Sequence, residues 1–351
     1  MRESIFFSSI RAFFLMLFGL LGLLVGLVLI AIAVGGMSET IEGEPEIKYT
    51  YTPEILANSS GIRKKLSKDS PVILKLNING IIGVDKLTHQ AIEQQLIESR
   101  EQVLENRVKA ILLYIDSPGG TVVDADAIYR SIKRYKETYK VPVYAYVDGL
   151  CASGGMYIAC AADKIYASNA SIIGSVGVII PSILNFYQLL EKIGVQSITL
   201  YEGKGKDDLN PMRPWRKGEE DNIKDAIAYY YGSFVDIVAA NRPLLDKTKL
   251  INDYGANVYP AALAQEYGYI DEANANLDLT LKMLAEKIEV KDDDYQFIVL
   301  ESKSWLSEIF GGVNGINGSF DLLKGKITHQ VILTPDTHPQ LMNQYLYLYK
   351  P

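Results

Sequence analysis

Strand-like apolar runs alternate with amphipathic helical patterns along most of the chain between residues 71 and 242. Alternation of strands with helices of about 10–15 residues is typical of βαβ units, in which helices cover a parallel sheet. The pattern therefore predicts an α/β fold with a largely parallel sheet flanked by helices. The predicted strands are 71–80, 109–115, 141–147, 164–168 and 195–201, and the predicted helices are 86–106, 124–139, 182–194 and 217–242.

Local signals favour particular helix ends. Asp124 is a candidate N-cap for helix 124–139 because a short polar side chain can accept a hydrogen bond from the backbone of the first turn. Ser182 and Gly194 favour the start and the end of helix 182–194, since glycine readily takes the left-handed conformation in which many helices end.

The N-terminal residues 12–34 contain no charged side chain in 23 positions. As a helix this run would be roughly 34 Å long, which is enough to cross the apolar core of a bilayer. The alternative is a cleaved signal peptide, whose apolar core is usually about 7–15 residues and ends at a site of small residues. This run is longer and has no clear site of that kind, so it predicts an uncleaved transmembrane anchor.

Charges on either side of this run predict its orientation. Arg2 and Arg11 precede it, and four glutamates lie between residues 39 and 46. By the positive-inside rule, residues 1–11 remain in the cytoplasm, and everything after the anchor lies on the outer side of the cytoplasmic membrane. The sequence therefore predicts a single-pass membrane protein.

Beyond the anchor we expect a linker at 35–70, one domain at 71–302 and a flexible tail at 303–351. The segment 310–320 is rich in Gly and Asn, which disfavours regular structure. The alternating Tyr and Leu at 345–349 would also suit an edge strand or a peptide in a groove. The net charge of −7 is ordinary for a soluble domain, and the absence of a clustered basic face argues against nucleic-acid binding.

The chain has two cysteines, Cys151 and Cys160, nine positions apart. On one helix they would lie more than a turn apart and could not reach disulfide distance, so we expect both to be buried as small apolar groups. Of the three histidines, His89 lies in a predicted surface helix, whereas His329 and His338 lie in the predicted tail.

Two stretches rich in small residues each follow a predicted strand. IDSPGGTV at 115–122 predicts a sharp turn, and DGLCASGGMYIA at 148–159 places Ser153 where a strand ends and a helix begins. Read alone, the first is a turn and Ser153 is a helix N-cap. If Ser153 is instead a nucleophile, the N–H of Gly154 and one N–H of the turn would form an oxyanion hole for the tetrahedral adduct on Ser153.

A serine nucleophile needs a base. No histidine lies near these stretches in the sequence, although His89 stays a candidate, and the segment 202–214 offers Lys204 and Lys206 instead. A lysine becomes a base only where desolvation lowers its pKa from about 10.4 towards 7 or 8. Without such burial the segment is an ordinary solvated basic loop.

Four motifs that occur in order carry a resemblance to a known family: DSPGG, ASGGMY, GSVGV and GKGKDDLNP. They resemble signal peptide peptidase A, the membrane-anchored serine peptidases of family S49 that use a Ser/Lys dyad on a ClpP/crotonase-like fold. The resemblance covers about residues 70–300 and includes the N-terminal anchor.

The resemblance implies a role for each matching residue. Ser153 would be the nucleophile, and Lys206 would be the general base. Ser175 would hydrogen-bond the lysine amine and so orient it. The backbone N–H groups of Gly120 and Gly154 would form the oxyanion hole.

Two positions depart from the family pattern, which more often has Tyr where Met156 stands and Ser where Asn210 stands. Neither change removes a catalytic group. Met156 could alter the lining of a pocket, whereas Asn210 keeps a turn-forming side chain before Pro211. Lys204 does not occupy the place of the family's base.

The resemblance also implies a ring-like homo-oligomer, such as an octamer, in which Ser153 of one copy meets Lys206 of a neighbour. The implied substrates are released signal peptides or other unfolded apolar peptides at the outer face of the membrane, with no metal or cofactor. Two alternatives stay open: an inactive membrane scaffold that binds peptides on the same fold, and a crotonase-type acyl-CoA enzyme.

Overall fold

The chain divides by its contacts into two units, Met1–Lys48 and Tyr49–Pro351. In the first unit, residues 14–23 and 25–26 are helical. No helix within the described ranges is both long and apolar enough to cross a membrane. Much of the predicted anchor 12–34 lies outside those ranges, so the anchor stays a prediction. The computed structural model describes residues 14–23, 25–26, 51–63, 65, 67, 69–291, 294–302 and 346–348.

The second unit is built on one sheet, which has nine strands in the described part of the chain. The strands are β1 (Tyr51–Leu56), β2 (Val72–Ile82), β3 (Val108–Thr121), β4 (Val143–Ala152), β5 (Lys164–Ala167), β6 (Ile172–Gly174), β7 (Val258–Pro260), β8 (Gln296–Ser302) and β9 (Leu346–Leu348).

The centre of the sheet is parallel. The strand order is β1-β8-β2-β3-β4-β6-β7, with β5 paired to β4 and β9 paired to β3. β2 runs parallel to β3 and β8, and β4 runs parallel to β3, β5 and β6. The pairs β1–β8, β3–β9 and β6–β7 are antiparallel. The predicted α/β fold with a largely parallel sheet is confirmed.

Helices cover both faces of this sheet. One face packs against α1, α2, α3 and α5, and the other packs beneath α8, which contributes Leu281 and Leu284. The helices are α1 (His89–Glu98), α2 (Val122–Tyr139), α3 (Gly154–Ala159), α4 (Tyr187–Lys192), α5 (Asp221–Asn241), α6 (Lys247–Lys249), α7 (Ala261–Glu266) and α8 (Leu277–Lys287).

The spacing of apolar residues explains which helix face is buried. In α2 the residues Ala125, Ile128, Ile132 and Tyr135 are buried, and steps of three and four positions place them on one side of a helix. The central strands instead carry nearly continuous apolar runs, as expected for parallel strands covered on both faces. Both patterns are visible in the sequence, which is why the element types were predictable.

The strand predicted at 195–201 is wrong. Residues 195–200 belong to no strand, and the helix predicted at 182–194 is limited to α4. Ile198 and Leu200 in this run are 85% and 87% exposed. An apolar run indicates burial against some partner, but the described part of this chain supplies no strand to pair with it.

The sharp turn predicted at 118–120 is also wrong, because β3 continues to Thr121, although Gly119 has φ 102°. The pairing of this segment with β2 is irregular, because the register shifts between Asn79 and Ile81. β4 likewise continues past Gly149 to Ala152. Both strands therefore reach further towards the site than the sequence predicts.

Several predicted boundaries also moved. Thr121, not Asp124, caps α2, since its side chain accepts a hydrogen bond from the Asp124 N–H. The helix predicted at 86–106 is shorter, as α1 ends at Glu98 and a 3₁₀ turn follows at Gln102–Leu104. The predicted linker contains β1, which pairs with β8. Most of the predicted tail lies outside the described residues, but β9 falls within it.

Candidate active site

Ser153 stands between the end of β4 and the first residue of α3, and it is fully buried. Its backbone has φ 54° and ψ −116°, a conformation that residues other than glycine rarely adopt. Its N–H donates to the carbonyl oxygen of Gly174 at 2.9 Å. Strain of this kind costs on the order of 1–3 kcal/mol and tends to persist where it serves a site.

The hydroxyl of Ser153 does not cap the helix. Its Oγ is buried and has no hydrogen-bond partner in the described part of the chain. Leaving a buried hydroxyl unsatisfied costs about 1–3 kcal/mol, so natural proteins rarely do so without a reason. The interpretation of Ser153 as a side-chain N-cap is therefore wrong, and its hydroxyl is unpaired among the described residues.

Ser175 lies beside Ser153 because of the strand register. β4 and β6 run in parallel with Ala152 opposite Gly174, so the next residue of each strand leaves the sheet at the same place. Ser175 is nearly buried, has φ 55°, and donates its N–H to the carbonyl oxygen of Asn257 at 2.7 Å. The structure thus brings together two residues that the family resemblance assigned to one site.

The end of β3 forms the third part of the site. Gly119 and Gly120 lie opposite Ile81 and Ile82 of β2. The approach at Gly120 is so close that a Cβ there would overlap the backbone carbonyl of Ile82. Only glycine fits at this position, for reasons of space.

A serine that the sequence reasoning missed fastens this end of β3. Ser117 is fully buried, its Oγ donates to the carbonyl oxygen of Gly80 at 2.6 Å, and it accepts the N–H of Gly119 at 3.1 Å. A Cβ at Gly155 would stand 3.0 Å from the Ser117 carbonyl oxygen. The first turn of α3, which begins with Gly154, is therefore packed directly against β3. The position of Ser117 just before Pro-Gly-Gly was the one signal in the sequence that pointed to this role.

Lys206 is not brought to Ser153 within this chain. Its side chain is exposed, and the Ser153 hydroxyl has no partner in the described residues. His89 is not brought there either, because its Nδ1 lies 3.2 Å from Asp124 Oδ1. The structure thus leaves the predicted nucleophile buried and the predicted base exposed, without a hydrogen bond between them.

Lys206 belongs to a projecting segment, residues 179–217, which we call the arm. Asp207 is the one residue of the arm that is buried. The two halves of the arm are joined by the Phe186 N–H, which donates to the Pro211 carbonyl oxygen at 2.7 Å. Its large apolar side chains face solvent, and they include Leu184, Phe186, Leu189, Ile193, Val195, Ile198, Leu200 and Trp215. Apolar exposure on this scale is typical of an interface.

Charged side chains fix the loop that carries Lys206. Arg213 donates from Nε to Asp207 Oδ2 at 2.5 Å and from Nη1 to Glu219 Oε1 at 2.7 Å. Arg216 Nε also donates to Glu219 Oε1, at 2.5 Å. Burial opposes the ionisation of Glu219, but the bonds from Arg216 and Arg213 outweigh it and lower the pKa of this carboxyl from 4.5 to about 2. We call these ion pairs of Arg213 and Arg216 with Asp207 and Glu219 the clamp. The clamp needs an ionised Glu219.

We expect this clamp to loosen in acid. A carboxylate with a lowered pKa stabilises the fold fully above its ordinary pKa of 4.5, and that stabilisation fades as the pH falls towards 2. The indole of Trp215, which donates to the Asn210 carbonyl oxygen at 3.0 Å, reports on the loop. In a Trp305→Phe background its fluorescence should hold from neutral pH to about 5 and change below about 4.5.

Glu219→Gln is the matched control for this titration. Without the carboxylate, the emission of Trp215 should already resemble the acid form at neutral pH, and the change between about pH 4.5 and 2 should shrink. An unaltered titration in Glu219→Gln would contradict the role of the clamp.

The remaining predicted residues have structural roles. Cys151 and Cys160 are free and buried, as predicted, and burial raises the pKa of Cys160 to about 12. Met156 is fully buried in the core and does not line the groove described next. Asn210 organises the arm loop, where its Nδ2 donates to Asp207 Oδ1 at 2.5 Å and its Oδ1 accepts the Met212 N–H.

A groove of about 1200 Å³ lies at the carboxyl ends of the central strands. Its apolar walls include Ile81, Leu87, Pro118, Leu150 and Leu300. Ligands of parallel α/β sheets usually bind at this edge. The groove adjoins β3 and β4 next to the residues that lead to Gly120 and Ser153, so it can receive apolar groups of a ligand bound there.

A buried serine on a strained strand-to-helix junction, beside a glycine-lined strand end, is an arrangement typical of serine hydrolases. Comparison with known proteins is more specific. The family model described as Peptidase family S49 matches residues 136–291, and the model described as NfeD1b, N-terminal domain, matches residues 80–182.

Relatives extend the match beyond these models. A putative protease of Methanocaldococcus jannaschii is 32% identical over 235 residues, which cover 62% of this chain and 74% of the relative. A putative signal peptide peptidase SppA of Enterococcus faecium is 29% identical over 300 residues, 81% of each chain. The chloroplastic serine protease SPPA of Arabidopsis thaliana is 31% identical over 247 residues, which cover 69% of this chain and 36% of the relative. The chain belongs to peptidase family S49 and is a serine peptidase.

Among solved structures, a ClpP1 mutant from Listeria monocytogenes matches with a TM-score of 0.40 and 20% identity, over 61% of this chain and 96% of that one. A match at this level carries no conclusion about assembly or mechanism.

Proposed function

We propose that this chain is a membrane-anchored serine endopeptidase in which Ser153 is the nucleophile and Lys206 is the general base. One observation carries the proposal: at the start of α3, Ser153 has a strained backbone and a buried hydroxyl without a hydrogen-bond partner among the described residues. A structural serine at this place would cap the helix. A nucleophile must instead keep its hydroxyl free for a base and a substrate.

The reaction follows from these positions. Ser153 Oγ attacks the peptide carbonyl carbon while Lys206 Nζ takes the hydroxyl proton. The oxyanion is held by the backbone N–H groups of Gly154 and Gly120, on the side where α3 packs against β3. The proton passes from Lys206 to the leaving amine as the C–N bond breaks. Water then hydrolyses the ester and frees Ser153.

In this proposal Lys206 comes from a neighbouring copy in a ring-like homo-oligomer. The arm supports this, because it carries Lys206 and exposes Ile198 and Leu200 almost completely. Docking of the arm on a neighbour would remove apolar surface from water and would desolvate the lysine, which favours its neutral form. Ser175, beside Ser153 in the sheet, would then hold the amine in place.

The proposed substrates are released signal peptides and other unfolded apolar peptides at the outer face of the cytoplasmic membrane. The apolar groove beside Pro118 and Leu150 suits such peptides. The predicted anchor at 12–34 would keep the site near the membrane. The relative from Enterococcus faecium bears the name of a putative signal peptide peptidase, which agrees with this choice of substrate.

A serine-reactive fluorophosphonate probe tests the proposal on the full-length protein. Labelling should occur on Ser153 and should disappear in Ser153→Ala, because that variant removes the attacking oxygen. Ser60→Ala, which changes an exposed serine far along the chain, should label like the wild type. Labelling that persists at full strength in Ser153→Ala would refute Ser153 as the nucleophile.

A further inference from the structure

A second cavity, of about 860 Å³, lies at the amino ends of the central strands. Its walls include Pro71, Val108 and Pro142, which stand at or just before the starts of β2, β3 and β4. The groove beside the candidate active site lies at the carboxyl ends of the same parallel strands. The two cavities therefore open at opposite edges of the sheet, and the second is separate from the proposed peptidase chemistry.

The charged side chains around this second cavity give it a positive balance. Four are basic and two are acidic, a formal charge of +2 in a chain whose net charge is −7: Arg100, Lys109, Lys140, Lys287, Asp69 and Glu289. A basic side chain at the end of a helix can simply balance the helix dipole, which explains Lys140 and Lys287 at the ends of α2 and α8. It does not explain Lys109, which lies in β3.

Arg100 is held at the cavity by two tyrosines of α2. Its Cζ lies 4.5 Å from the centroid of the Tyr135 ring and 3.9 Å from the centroid of the Tyr139 ring. The face of an aromatic ring attracts a cation, so these contacts fix the position of the guanidinium. The N–H groups at the edge of the guanidinium still need oxygen acceptors.

Two of the guanidinium nitrogens have no acceptor. Nε and Nη2 of Arg100 are buried and lack a hydrogen-bond partner in the described residues. By contrast, each guanidinium nitrogen of Arg107 donates to an oxygen, namely one of Ser70, Val103 or Gln296. Nε–H and Nη2–H point the same way along one edge of a guanidinium, and this pair matches two oxygens of a phosphate or carboxylate group.

We propose that this cavity binds the phosphate group of a small molecule, with Arg100 as its bidentate partner and the lysines of the cavity around it. A phosphate group carries a charge of about −1.5 to −2 at neutral pH, which matches the +2 of the cavity better than the single charge of a carboxylate. Because Nε and Nη2 are covered in this structure, the guanidinium turns towards the cavity as the ligand binds, and rotations of this kind are fast. The volume is typical of a small-molecule site, so an organic group attached to the phosphate also fits.

Isothermal titration calorimetry on the full-length protein tests this site with inorganic phosphate, glycerol 3-phosphate and acetate at one ionic strength. The wild type should bind both phosphate compounds saturably and acetate at least about tenfold more weakly. Arg100→Lys keeps the charge but removes the paired N–H groups, so phosphate binding should weaken at least about tenfold. Arg130→Lys is the matched control, because Arg130 is exposed on α2 and pairs with Asp126, and it should bind phosphate like the wild type.

Lys109→Gln is a second variant, which does not disturb the packing of Arg100 on the tyrosines. It removes one positive charge from an exposed side chain and should weaken phosphate binding at least about threefold. Tighter binding of glycerol 3-phosphate than of phosphate would identify an organic phosphate as the ligand, and equal affinity would identify free phosphate. The proposal is overturned if the wild type shows no saturable phosphate binding, if acetate binds as well as phosphate, or if both Arg100→Lys and Lys109→Gln bind phosphate normally. None of these measurements depends on peptidase activity.

Discussion

Ser153→Ala should reduce peptide hydrolysis by at least about 10⁴-fold, because no other group at the junction of β4 and α3 can form the acyl intermediate. The fold should persist, since the Ser153 hydroxyl makes no hydrogen bond within the described residues and its loss breaks none. Turnover of labelled casein measures the effect, and the thermal midpoint measures stability. Residual turnover above about one hundredth of the wild type would exclude Ser153 as the nucleophile.

Lys206→Ala should be about as damaging, and Lys204→Ala is its matched control. Both lysines are exposed on the same loop of the arm, so a general effect of charge would appear in both variants. We expect Lys204→Ala to retain nearly full activity. Equal losses in the two variants would count against Lys206 as the base.

Mixing the two inactive variants tests whether the base comes from a neighbour. When Ser153→Ala and Lys206→Ala chains are produced together in equal amounts, about a quarter of the sites pair an intact serine with an intact lysine. Activity should therefore return to about a quarter of the wild type. If one chain supplied both groups, no mixed site would be intact and the mixture would stay inactive.

A smaller but still large effect is expected at Gly120. A Cβ at Gly120 would overlap the backbone carbonyl of Ile82, so Gly120→Ala must displace the end of β3 and its N–H. Loss of one oxyanion donor costs about 2.7–4 kcal/mol, or about 10²–10³ in kcat. The measurement is kcat on casein, with KM expected to change much less.

Gly232→Ala is the control for this change. Gly232 lies within α5, and a Cβ there would meet nothing within 4 Å, so activity should match the wild type and stability should match or slightly exceed it. Because Gly120→Ala can also destabilise the sheet, the thermal midpoint of this variant is measured and compared with the assay temperature, to check that the variant is folded during the assay. A folded Gly120→Ala protein with normal kcat would exclude Gly120 from the oxyanion hole.

The sequence predicted the α/β class well because its signal is local. The apolar runs of β2, β3 and β4 and the helical spacing in α2 are visible without any tertiary information. The end of β3 was predicted poorly, since Pro-Gly-Gly indicates a turn in isolation. In the structure this segment still pairs with β2, with a register shift between Asn79 and Ile81.

The candidate site was predictable only in part, again because only some of its features are local in the sequence. The strand-to-helix position of Ser153 followed from the pattern. Its strained backbone, and the lack of a partner for its hydroxyl among the described residues, depend on the packing around α3. The separation of Lys206 from Ser153 could not be derived from spacing along the chain. The apolar run at 195–200 was interpreted as a strand of the core, although it projects into solvent on the arm.

The left-handed backbone at residue 153 also limits which side chains could replace the proposed nucleophile. At φ 54° a branched β-carbon crowds its own main chain, so threonine is disfavoured although it offers the same hydroxyl. Cysteine is unbranched and escapes that restriction. The shape of the backbone at residue 153 therefore favours a narrow choice of side chains, whatever their reactivity.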